Sequence, residues 1–216
     1  MRREKKPKKG NRKIDIVKTG CCFMAKIVLI FGTPGAGKSS ILNGLEQITH
    51  GMASKVNIGD EMLKIAQKEF GVEDRDSMRK LANYADISQR WRREILEKVI
   101  RQEGLVLIDT HASVKSESML SPGLSFDDLA LLKGSTKAIV YVDASTAEII
   151  ARRQRDTTRK REQEPPEEID LHRSINISMC SLFSAYLNIP LYVINNREGK
   201  LEETRNQLAK VLEGLV

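Results

Sequence analysis

At 216 residues, 40% of them hydrophobic and 30% charged, the chain has the length and composition of one globular domain with a full core, alone or with a tail. No apolar run approaches the ~20 residues that span a bilayer, which excludes an integral helical membrane protein. Its +7 net charge suggests a nucleic-acid binder until it is located. All of it lies in residues 1–23, where Arg2, Arg3, Lys5, Lys6, Lys8, Lys9, Arg12, Lys13 and Lys18 face only Glu4 and Asp15, so residues 24–216 are neutral overall.

Residues 1–23 read as a disordered basic tail: a solvated extension, or an arm able to meet RNA or another polyanion. The tail has no secretory h-region, because residues 1–13 are almost entirely polar. The three cysteines, Cys21, Cys22 and Cys180, form neither a disulfide framework nor a metal-ligand spacing. A reducing cytoplasm is the expected compartment. The folded unit is expected to begin near Met24, directly before a strand.

From there, short apolar runs alternate with helical patterns. The predicted strands are 26–31 (KIVLIF), 55–58 (KVNI), 105–109 (LVLID), 137–143 (KAIVYVD) and 191–194 (LYVI). Near-continuous apolar strands imply burial on both faces, hence a parallel sheet covered by helices. The predicted helices carry apolar stripes at Ile87, Trp91, Ile95 and Val99; at Leu171, Ile175, Met179, Leu182 and Tyr186; and at Leu201, Leu208, Val211, Leu212 and Leu215. There is no internal repeat. One doubly wound α/β domain follows, with ligands beyond the carboxyl ends of its strands.

Between the first strand and a helix bearing Ile41, Leu42 and Leu45 stands Gly32-Thr33-Pro34-Gly35-Ala36-Gly37-Lys38-Ser39, a complete G-x-x-x-x-G-K-[ST]. The glycines let backbone amides curl round phosphates, and the following helix turns its positive end to the anion. Lys38 supplies a mobile cation for the transferred γ-phosphoryl group, and the Ser39 hydroxyl a ligand for Mg²⁺. Asp109, at the end of the third predicted strand, is placed to hold Mg²⁺ through water.

No Asn-Lys-x-Asp follows a late strand, and Asp109-Thr110-His111-Ala112 is no Asp-x-x-Gly, so a regulatory GTPase is disfavoured. A kinase must instead clamp two phosphate chains and exclude water. The run from Arg152 to Arg161 suits an Arg-rich lid: on one helix Arg152, Arg155 and Arg159 share a face, and the Pro-containing acidic stretch 162–168 can hinge. For the acceptor, Asn57-Ile58-Gly59-Asp60 offers a second strand-to-helix turn, Arg75 and Arg79 lie where a phosphate could be met, and Thr110 lies at a strand end. His111 either lines the acceptor pocket or is a satisfied polar residue.

Together GTPGAGKSS, NIGDEML, VEDRDSMRKL, LIDTHASVKS, the PGL at 122–124 and RDTTRKR resemble the archaeal-type adenylate kinases, from about residue 24 to the C-terminus. The resemblance implies ATP + AMP ⇌ 2 ADP with Mg²⁺, a P-loop NTPase fold with a five-stranded parallel sheet, a short lid and a homotrimer. It implies ATP binding by residues 32–40, Ser40 included, with Arg152, Arg159 and Arg161 as lid arginines. Two departures bear on acceptor contacts: Ile58 stands where other monophosphate kinases commonly carry Thr, and Lys115 where they carry Arg. The alternatives are a kinase for CMP, UMP or a small alcohol, and an ATP-dependent RNA- or ribosome-associated switch.

Overall fold

A computed structural model describes residues 24–44, 49, 51–116, 119–156 and 164–215. The tail 1–23, Leu45, Arg159 and Arg161 lie outside the described residues. In chain order the elements are β1 (Lys26–Gly32), α1 (Lys38–Leu42), β2 (Ala53–Asn57), α2 (Ile58–Phe70), α3 (Arg75–Arg79), α4 (Tyr84–Ile100), β3 (Leu105–Asp109), β4 (Ser113–Ser116), β5 (Met119–Pro122), α5 (Phe126–Leu132), β6 (Thr136–Asp143), α6 (Thr146–Arg155), α7 (Pro166–Leu187), β7 (Leu191–Asn195) and α8 (Leu201–Glu213).

Five of the strands form one parallel sheet in the order β2-β3-β1-β6-β7. Successive β1 side chains alternate between its faces. Ile27, Leu29 and Phe31 join one core with Trp91, Leu124 and Phe183, while Val28 and Ile30 join a second with Ile41, Ile149 and Leu208. Ile27 to Phe31 are fully buried, which is why β1 reads as an unbroken apolar run. The chain leaves β1 towards β2 on one side and leaves β3 towards β6 on the other. The carboxyl ends of β1 and β3 therefore flank the topological switch point, where such sheets bind ligands.

All five predicted strands form. A two-stranded hairpin, β4–β5, is added beyond them. Its return passes so close to the first arm that a Cβ on Gly123 would lie 1.7 Å from the His111 carbonyl oxygen, so only glycine fits there.

The stripes on α4 and α8 face the core as expected. The stripe on α7 does not. Its buried face is Ile169, His172, Asn176, Cys180, Phe183 and Leu187, whereas Leu171, Leu182 and Tyr186 are exposed by 58%, 52% and 37%. Apolar residues lie on both sides of this helix, so periodicity alone selects the wrong one. The choice is made by His172 and Asn176, whose buried polar atoms find partners in the sheet layer.

Candidate active site

The loop between β1 and α1 turns through left-handed backbone at Gly35 (φ 100°) and Gly37 (φ 88°). A Cβ on Gly37 would also fall 2.2 Å from Asn196 Nδ2. The loop is braced from behind. Arg153 donates through Nε and Nη2 to the Pro34 carbonyl at 2.9 and 2.8 Å. The Ala36 carbonyl accepts from Arg152 Nη1 at 3.0 Å and Asn196 Nδ2 at 2.8 Å. Across a planar trans peptide the C=O and the next N–H point in opposite directions. Holding the carbonyls of Pro34 and Ala36 outward therefore turns the Gly35 and Gly37 amides to the inside of the loop, where they form a nest for an anion.

Not every side chain in the loop points inward. The Thr33 hydroxyl and the Ala36 methyl are buried in the protein, so these residues are available to a ligand only through their backbones. Ser39 and Ser40 are exposed at the mouth of α1, and the Ser40 carbonyl accepts from Arg205 at 2.8 Å.

Lys38 crosses the switch point. Its Nζ lies 2.5 Å from Asp109 Oδ1 and donates to the Thr110 carbonyl. Burial lowers the Lys38 pKa, with Asp109 opposing that shift. The other oxygen of Asp109 accepts from Asn57 Nδ2 at 2.7 Å. Asn57 in turn caps α2, its Oδ1 accepting from the Asp60 amide at 3.0 Å and from Arg75 Nη2 at 3.2 Å. Arg75 Nη2 also meets Asp60 Oδ1 at 2.6 Å. The Arg75 guanidinium lies flat over Gly59, where a Cβ would sit 3.0 Å from its Cζ. A continuous polar chain thus runs along the carboxyl edge of the sheet, from Lys38 through Asp109 and Asn57 to Arg75.

The structure brings Gly59, Asp60, Arg75, Thr110 and Asp109 to this edge. Arg79 instead pairs with Asp76 on its own helix at 3.5 Å and is half exposed. Lys115 is paired with Glu164 at 3.3 Å and with Glu168, away from the edge.

Burial, reinforced by the positive charges of Lys38, Arg75 and Arg79 and by His172, pushes His111 down to about 3. Its ring is therefore neutral at neutral pH. In the unfolded chain a histidine titrates near 6.5, so below that pH the unfolded state takes the proton first. The stability contributed by neutral His111 is complete above about pH 6.5 and is lost as the pH falls towards 3. In His111→Gln the melting midpoint should fall less steeply between pH 6.5 and 4 than in the wild type. His172, also lowered by burial, would retain part of the slope. Superimposable melting curves across that range would refute this assignment.

The expected arginine lid fares differently. The α6 helix ends at Arg155, and Asp156 takes up extended backbone (φ −81°, ψ 98°), while Arg159 lies outside the described residues. Arg152 is instead part of the brace and donates to the Asn196 carbonyl at 2.7 Å. Arg155 grips Glu198 with both terminal nitrogens at 3.0 Å. Beside the loop, Gly37, Ser40, Arg152, Arg155, Asn196 and Arg197 line a cavity of about 390 Å³.

Arg153 and Asn196 carry the geometry of this site without a sequence signal of their own, and Asn57 does more than open the turn expected there. Arg153 is one basic residue in a run of them, and nothing local marks it. Asn57, followed by Ile58-Gly59-Asp60 at the end of a strand, carries the one usable signal, that of a helix cap.

An oxygen donor set suits Mg²⁺. Ser39 offers an exposed hydroxyl, and Asp109 Oδ1 is buried without an aligned hydrogen bond. Among the described residues no group of three or more His, Cys, Asp or Glu could close round a metal. These two residues fit an ion whose remaining ligands are phosphate oxygens and water.

A family profile described as an AAA domain matches residues 31–170. An adenylate kinase of Pyrococcus furiosus is 34% identical over 193 residues, covering 88% of this chain and 96% of that protein. One from Methanothermobacter thermautotrophicus is 32% identical over 191 residues, covering 87% and 100%. Among solved structures, a shikimate kinase from Acinetobacter baumannii in complex with shikimate superposes with a TM-score of 0.57 at 15% identity, covering 88% of this chain and 94% of that one. A shikimate kinase from Bacteroides thetaiotaomicron gives 0.53 at 14%, covering 88% and 99%. At such identities the likeness is one of fold.

Proposed function

Because the chain belongs to the adenylate kinase family, we propose that it transfers the γ-phosphoryl group of ATP reversibly to AMP, giving two ADP. The observation that carries this reading is the polar chain at the switch point. It joins the phosphate nest and Lys38 to a second strand-to-helix turn, at Gly59 and Asp60, covered by the Arg75 guanidinium. An ATPase or a switch needs the first of these; an acceptor kinase needs both, on one edge of one sheet.

The β- and γ-phosphates lie in the nest of Gly35 and Gly37, and Lys38 leaves Asp109 to follow the γ-phosphoryl group. The cavity beside the loop takes the donor nucleoside, its volume being within the ordinary range for such ligands. Arg75 meets the acceptor phosphate, with Thr110 and neutral His111 beside it and Arg79 farther out, paired with Asp76 on its own helix. Phosphoryl transfer rests on positioning and charge neutralisation, so no side chain has to act as a covalent nucleophile. Mg²⁺, held by Ser39 directly and by Asp109 through water, would neutralise charge on the phosphates. Arg159 and Arg161 are proposed as the lid arginines on the strength of the sequence alone.

The exposed face of α7 supports a homo-oligomer, and the resemblance to archaeal enzymes supports a trimer. Leu171 and Leu182 stand in solvent there, and Phe126 meets Tyr186 edge-on with centroids 5.1 Å apart. Among the described residues no helix is long and apolar enough to cross a membrane, and a cytoplasmic location follows from the cysteine usage. The tail 1–23 is proposed as a solvated extension able to meet polyanions.

The test is ADP formation from ATP across AMP, CMP, UMP and GMP, beside an ATP-only control. Turnover that depends on AMP is expected. Slow hydrolysis indifferent to every acceptor, and stimulated by RNA, would replace this reading with the switch.

A further inference from the structure

Asn176 lies on the buried face of α7, 1% exposed, near the middle of that helix. Burying an amide is costly unless its polar atoms are bonded. Here they are. Asn176 Oδ1 accepts from the Ser113 amide at 3.0 Å and from the Ser113 hydroxyl at 2.7 Å. Its Nδ2 donates to Thr33 Oγ1 at 3.2 Å. The chain continues at both ends, to Tyr141 OH, 2.9 Å from Thr33 Oγ1, and to His172 Nε2, 3.0 Å from Ser113 Oγ.

The chemistry of the groups sets the direction. Oδ1 can only accept, so the Ser113 proton is spent on it, and Ser113 Oγ must accept from His172 Nε2–H. This fixes the tautomer of His172. Nδ2 can only donate, so Thr33 Oγ1 accepts. One side chain on α7 is therefore bonded at once to the first variable residue of the phosphate loop and to the backbone just past Asp109-Thr110-His111. These are the two segments that carry donor and acceptor, and the sheet ladder between them ends at Thr110, whose amide donates to the Ile30 carbonyl at 3.2 Å. Beyond that rung, Asn176 holds them in register.

We infer that Asn176 is a positioning residue for the transfer, setting the phosphate loop against the segment 110–113 so that donor and acceptor phosphates meet in line. The inference rests on the reading of the site as an acceptor kinase. It touches no reacting atom and should leave each nucleotide's own contacts intact, so its loss is felt where both must be aligned. A misplacement near 1 Å is worth on the order of 10² in rate.

The experiment is steady-state kinetics on the full chain for Asn176→Ala, Asn176→Asp, Ser113→Ala and Asn176→Ala/Ser113→Ala, each with its melting curve. Phe183→Leu, on the same helix face but outside the network, serves as the packing control. Asn176→Asp keeps the acceptor for Ser113 and removes the donor to Thr33. The turnover number should fall roughly 10- to 100-fold in Asn176→Ala and Asn176→Asp, with both Michaelis constants within about threefold of wild type. The double variant should be no slower than Asn176→Ala alone, because both substitutions break one link. Phe183→Leu should lower the melting midpoint and leave turnover unchanged. The inference is overturned if Asn176→Ala keeps turnover within about threefold, if it merely tracks the folded fraction as Phe183→Leu does, or if the single effects add. Absence of AMP-dependent turnover in the wild type is a different result, which removes the acceptor-kinase reading and the inference with it.

Discussion

Lys38→Met should lower AMP-dependent ADP formation by three orders of magnitude or more, about 4 kcal/mol of transition-state stabilisation. The substitution removes the loop's own cation, which can travel with the transferred group. It also has a structural consequence. Asp109, 3% exposed, would be left with Asn57 as its remaining bonded partner, and breaking a buried ion pair from one side commonly costs about 3–5 kcal/mol. A lower melting midpoint is therefore expected too, and turnover must be compared at a temperature where circular dichroism shows the variant folded. Lys38→Met/Asp109→Asn separates the two effects: it should recover stability and recover none of the activity. If either variant keeps more than about a tenth of wild-type turnover while folded, Lys38 has no such role.

The second large effect belongs to the acceptor side. Arg75→Ala should raise the Michaelis constant for AMP by roughly 30- to 100-fold, since a hydrogen bond to a charged group contributes about 1.5–3 kcal/mol. The constant for ATP should change by less than about threefold. Arg79→Ala is the internal comparison. It is exposed and paired with Asp76 on its own helix, so its replacement should change either constant by less than about threefold. Kinetics on the two variants at saturating ATP decide the matter. Equal effects, or a larger one at Arg79, would move the acceptor phosphate away from the Gly59–Asp60 turn.

The scaffold was legible where one physical cause dominates. Ile27 to Phe31 are apolar because both faces of β1 are covered, and a strand followed by Gly-x-x-x-x-Gly-Lys-Ser has few other uses. The turn at Asn57 to Asp60 and the carboxylate at Asp109 could be placed for the same reason, as each ends a buried strand. Legibility failed where the deciding partner is remote. On α7 a count of apolar residues favours Leu171, Leu182 and Tyr186, because hydropathy discounts His172 and Asn176. Their burial is licensed by Ser113 and Thr33, 59 and 143 residues away. The α6 helix stops at Arg155 without a glycine or proline to announce it, so its end is not legible from the basic run. The bracing role of Arg153 depends on the Pro34 carbonyl lying within reach, which periodicity does not convey.

That brace bears on the order in which the protein comes into being. The glycine-rich motif is among the first parts of the domain to be synthesised, yet the groups that aim its amides arrive much later. Arg152 stands 116 residues beyond Ala36, Arg153 stands 119 beyond Pro34, and Asn196 stands 160 beyond Ala36. On the ribosome, a nascent chain that has not yet delivered Asn196 carries the motif and lacks the cradle. The cradle for a triphosphate is thus complete only once the chain has been made through Asn196, and a chain cut short before it carries the motif without its brace.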